Sequence, residues 1–145
     1  MLLKKYIREP RFRAALLLPI IIFGGLALKF YRGPGDEWVN HWGPASVAYV
    51  WAFMLMGFML FPDSRAIIAI ALVVLIGTCC VEWSQQFEVG FLKTARQTWF
   101  GRMLFGTTYS AWDFPAYFVG SLTGIGLLHW CVASQRPIDS TSKKD

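Results

Sequence analysis

Four apolar runs, each close to the length a helix needs to cross a lipid bilayer, occupy most of this 145-residue chain and leave only short polar joints between them. They cover residues 14–31, 44–61, 66–84 and 114–133. A soluble domain of this size buries about two thirds of the surface its unfolded chain exposes. With 55% hydrophobic and 17% aromatic residues, the chain carries more apolar side chain than one such core can hide, so lipid must solvate the surplus. The fold class that follows is all-α: a polytopic membrane bundle of four transmembrane helices, plus a short interfacial or re-entrant helix between the third and fourth. The formal charge of +5 does not point to nucleic acid, because many of the basic residues stand just outside apolar runs; lipid headgroups are the expected anionic partner.

The joints assign sides. Residues 1–13 carry Lys4, Lys5, Arg8, Arg11 and Arg13 against the single acid Glu9, a cytoplasmic flank by the positive-inside rule. The first run is only fifteen apolar residues, 14–28, and reaches membrane thickness if Phe30 and Tyr31 sit at the interface while Lys29 snorkels. Pro19, Gly24 and Gly25 bend or weaken it. The same outline fits a cleaved secretory signal; an uncleaved anchor is the reading adopted. Residues 31–43 join Gly33-Pro34-Gly35 punctuation to Trp38 and Trp42, four apart, which anchor one helical face in the headgroups. The turn at 62–65 is short enough to make its flanking helices antiparallel neighbours. The polar tail, 135–145, is expected to be disordered. With four spans, the start, the 62–65 turn and the tail share one side and hold nine of the fourteen Lys and Arg. Both termini are therefore expected in the cytoplasm, with 82–113 on the outer side despite Lys93, Arg96 and Arg102.

That outer segment gathers the polar chemistry. Cys79, Glu82 and Gln86, spaced i, i+3, i+7, share one face at the end of the third helix. A carboxylate there is costly toward lipid, so Glu82 is expected to turn inward to a cation, Arg96 or Arg102. Residues 94–106 can be drawn as one short helix with Trp99, Phe100, Met103 and Leu104 on its apolar side. Ser110 and Asp113 form an S-x-x-D start to the last helix, so Asp113 reads first as a cap and second as an acid. Glu82 and Asp113 are the catalytic candidates if there is chemistry. Gly120 and Gly124, with Ser121 and Thr123 beside them, make a small-xxx-small surface for helix packing. The methionines Met54, Met56 and Met59 read as adaptable packing and the cysteines Cys79, Cys80 and Cys131 as small buried apolar residues. No metal-ligand spacing, phosphate loop or nucleophile elbow is present, so no cofactor is expected.

Lys29-Phe30-Tyr31 with Gly33-Pro34, Glu82 with Gln85 or Gln86, Arg96, Gly101-Arg102, Leu104, Gly106-Thr107, Trp112-Asp113, Tyr117, Gly120 and Gly124 carry a resemblance. The chain resembles a family of small bacterial membrane proteins known as a domain of unknown function, some of which carry the automated name ribosomal maturation YjgA family; no residue here speaks for a ribosomal role. That family is similar in turn to the VanZ-like superfamily, whose named member is associated with low-level teicoplanin resistance. The resemblance spans about residues 14–133 and implies a bacterial inner (cytoplasmic) membrane and a polar site, ligand-binding or structural, of Glu82, Gln86, Arg96, Arg102, Asp113 and Tyr117. It departs at Tyr117, where the pattern has Asn, and in lacking a second acid just before Asp113. Two functions follow as expectations. In one, the Glu/Arg/Asp cluster binds an envelope lipid or lipid-linked cell-wall component at the outer leaflet. In the other, the protein is a non-catalytic accessory or packing subunit of a larger membrane complex.

Overall fold

A computed structural model describes residues 9–41, 43–87, 90–105 and 109–133. The expectations for the flank before residue 9, for Trp42, for the 106–108 joint and for the tail fall outside these residues. Among the described residues the chain forms seven helices and no strand: α1 (Pro10–Lys29), α2 (Asp36–His41), α3 (Pro44–Leu60), α4 (Ala66–Ser84), α5 (Gly90–Gln97), α6 (Trp99–Phe105) and α7 (Asp113–Ala133).

Local chemistry sets the boundaries. Pro10 and Pro44 occupy first turns, where the missing N–H costs nothing and the fixed φ favours the helix. Between α3 and α4, Asp63 Oδ1 accepts the Arg65 N–H at 3.0 Å and the Asp63 carbonyl accepts the Ala66 N–H at 3.0 Å, which closes the turn and starts α4. α7 begins where the Asp113 N–H reaches the Ser110 carbonyl at 3.1 Å, with Pro115 in its opening turn.

α1, α4 and α7 are long and apolar enough to cross a membrane. α3, at 17 residues, is about 25 Å long against a hydrocarbon core of about 30 Å, so the structure supports three crossings by length where the sequence suggests four. Their outward faces stay apolar: Phe23 is 71% and Val73 70% exposed, as suits helices solvated by lipid.

α3 is the hub of the bundle, packed on α1, α2, α4 and α7, and α4 packs in turn on α7. Its buried face, Val50, Met54, Leu55 and Phe58, meets Ala14, Ile67, Tyr117, Leu128 and Cys131 in one core. Gly120 and Gly124 of α7 face α3: a Cβ on Gly120 would stand 3.1 Å from Val50 Cβ and 3.4 Å from the Val47 backbone, and one on Gly124 would meet the flexible Met54 thioether. Trp51 Nε1 seals the seam by donating to the Gly120 carbonyl and to Thr123 Oγ1, each at 3.1 Å. Of the cysteines only Cys131 is buried; Cys79 is half-buried and Cys80 exposed, since adjacent helical residues point about 100° apart and cannot both face the core. Met54 is core, Met59 packs against it, and Met56 faces outward.

Candidate polar site at one end of the bundle

Glu82 lies in the last turn of α4 and is 1% exposed. Both of its oxygens are used. Oε1 accepts the Ser110 backbone N–H at 2.6 Å; Oε2 accepts the Tyr117 hydroxyl at 3.1 Å and Gln85 Nε2 at 3.2 Å. The carboxylate therefore pins the chain entering α7, and α7 itself, to the end of α4. Neighbouring tethers extend the knot: Ser46 Oγ of α3 donates to Asp113 Oδ1 at 3.0 Å, and Tyr49 of α3 donates to the Leu104 carbonyl of α6 at 2.6 Å. The Tyr49 and Tyr117 rings stand 6.5 Å apart across this hub.

The arrangement changes the expected ion pair. The sequence reading gives Glu82 an arginine; here three neutral donors replace it. Arg96 Nη2 instead donates to Ser84 Oγ at 3.3 Å, and Arg102 Nη2 to the Gln97 carbonyl at 3.3 Å. The groups that occupy the two carboxylate oxygens are instead the Ser110 amide and the Tyr117 hydroxyl. Gln86 also differs from expectation. α4 ends at Ser84, so the helical face that would carry Gln86 stops short; Gln86 is exposed, and Gln85 is the amide that turns back onto Glu82.

The segment 94–106 is not one helix. Thr98 interrupts it: its Oγ1 accepts the Gly101 N–H at 3.0 Å and donates to the Ala95 carbonyl at 2.8 Å, capping the start of α6. Gly101 is required by this break, because a Cβ there would collide with the Ala95 carbonyl oxygen. The α5–α6 hairpin that results contains no acid and carries Lys93, Arg96 and Arg102. Trp99 and Phe100 are exposed on it; Leu104 is half-buried.

Glu82, Asp113 and Tyr117 thus converge, Arg96 and Arg102 lie on the adjoining hairpin, and Gly120 and Gly124 lie further along α7 against α3. Gln85, one of the two amides that the resemblance offers beside Glu82, joins them. Ser46, Tyr49 and the Ser110 amide complete the site without a signal in the sequence, where a backbone amide leaves no mark. Among the described residues no three His, Cys, Asp or Glu side chains are placed to hold a metal ion. Chemically, the cluster secures charge inside the bundle and offers donors outside it. A family model described as "Protein of unknown function (DUF2809)" matches residues 35–121, from the loop before α2 into α7. Neither a curated protein nor a solved structure matches the chain.

Proposed function

The chain belongs to the DUF2809 family of proteins of unknown function, and for this member we propose a membrane protein that binds an envelope lipid, or a lipid-linked cell-wall component, by its phosphate. The ligand sits against the α5–α6 hairpin at the outer leaflet and undergoes no reaction there. The observation that carries this reading is a contrast between neighbouring charges. Glu82 is 1% exposed and accepts its three hydrogen bonds from the protein, so it is closed to a ligand. Arg96 gives a single bond among the described residues, from Nη2 to Ser84 Oγ, and is only half-buried.

A guanidinium with donors to spare suits phosphate oxygens, which it can take two at a time. Exposed Lys93 and Arg102 add charge, and Trp99 and Phe100 beside them are interfacial anchors. In this reading α3 is a fourth, short span, both termini face the cytoplasm, and Asp113 holds the start of α7 to α3 through Ser46. The resemblance to VanZ-like proteins points the same way.

The test uses the full chain in nanodiscs of zwitterionic lipid, titrated with a short-chain polyprenyl phosphate or dioctanoyl phosphatidylglycerol and followed by tryptophan fluorescence. Arg96→Ala is expected to weaken binding about tenfold to hundredfold, the worth of one or two hydrogen bonds between charged groups. Glu82→Gln is expected to leave affinity within about twofold while lowering thermal stability. An unsubstituted protein that binds neither probe overturns the reading. The second reading, an accessory subunit of a membrane complex, draws on the same closure of Glu82. It gains if neither probe binds and the variants disturb only stability.

A further inference from the structure

Ser84 is the last residue of α4, and its Oγ accepts from Arg96 Nη2 of α5 at 3.3 Å. A guanidinium bond to a charged acceptor closes to about 2.7–2.9 Å, so this one is long. The same Oγ donates to the Val81 carbonyl, one turn back in α4, at 2.6 Å. Its proton is therefore committed within the helix, and only its lone pairs hold the arginine. Both side chains are half-buried, which puts the pair at the edge of the bundle and outside its core.

We propose, on the premise that the hairpin takes a lipid phosphate, that the Ser84 hydroxyl is an internal competitor for Arg96, an acceptor that the phosphate displaces, and that it sets the affinity of the site. Acceptor strength favours the exchange. A neutral hydroxyl gives Arg96 one long bond, whereas phosphate offers charged oxygens that a guanidinium takes two at a time, in bonds about twice as strong.

Release costs little. When Arg96 leaves, Ser84 keeps its bond to Val81, so no buried donor is orphaned. Ser84 lies two residues beyond Glu82, about 200° around the helix, and neither Ser84 nor Arg96 contributes to the three bonds that close on the carboxylate. A second tether of the hairpin, from Tyr49 to the Leu104 carbonyl, belongs to α6, on the far side of the break at Thr98. Arg96 can thus change its acceptor without opening the end of the bundle. The fixed carboxylate cluster and the adjustable arginine are separate devices on one helix end.

The experiment uses the full chain in nanodiscs of zwitterionic lipid, titrated with dioctanoyl phosphatidylglycerol and with a short-chain polyprenyl phosphate, and compares the unsubstituted protein with Ser84→Ala and Ser84→Thr. Ser84→Ala removes the competitor and is expected to bind about twofold to tenfold more tightly, the worth of one modest hydrogen bond. Ser84→Thr keeps a hydroxyl at the same place and is expected to match the unsubstituted protein. A gain of affinity is a readout that damage to the fold does not produce. If the unsubstituted protein binds and Ser84→Ala binds equally or more weakly, or Ser84→Thr gains as much as Ser84→Ala, the competitor role is overturned while the phosphate reading stands. If the unsubstituted protein binds neither probe, the phosphate reading falls and this role falls with it.

Discussion

Taking a carboxylate out of water costs several kcal/mol unless donors replace its hydration, and at Glu82 one backbone amide, one phenol and one side-chain amide do so. Removing one of them is predicted to be felt. Tyr117→Phe should lower stability by about 1.5–3 kcal/mol, the worth of a hydrogen bond to a charged group, read as a lower unfolding temperature in detergent. Glu82→Gln should cost a comparable amount, because its new NH₂ must face a group that is itself a donor. Glu82 and Asp113 stand out in the sequence as ionisable groups at the edge of apolar runs, whereas Tyr117 enters only through the resemblance. The arginine partner was misjudged because spacing along a helix reports which residues share a face but not which loop returns to cover it. Ser46 and Tyr49 escaped notice because they sit 67 and 55 residues from the groups they bind.

The α5–α6 hairpin shows the same limit at the level of an element. Apolar spacing over 94–106 suited one continuous helix, but that pattern is blind to a threonine that caps and a glycine that permits a close approach. The break makes its own prediction. Gly101→Ala should drive α6 off the Ala95 carbonyl and weaken the Tyr49 tether to Leu104, and faster limited proteolysis within residues 90–105, with the spans intact, is the expected result. Thr98→Ala should act in the same direction and more mildly, by about 1 kcal/mol for a lost cap.

At the scale of the molecule, the apolar runs placed the long helices to within a few residues, because bilayer thickness and helix rise leave little freedom. They could not say that α3, the shortest of the four, is the hub; that depends on which faces meet, and helices apolar all round do not advertise a preferred one. Packing at the hub is predicted to be tight. Gly120→Leu should cost about 1–3 kcal/mol, because the added side chain meets Val50 and the Val47 backbone, and reduced accumulation in the membrane fraction would report it. The central claim is that the chain closes on Glu82 through neutral donors while the arginines bond elsewhere. Thermal unfolding of Glu82→Ala, Arg96→Ala and Arg102→Ala in one detergent tests it most directly. A large loss for Glu82→Ala, with both arginine variants within about 1 kcal/mol of the unsubstituted protein, is the predicted result. Equal losses for Glu82→Ala and either arginine variant would mean that an ion pair holds this end of the bundle and would contradict the account.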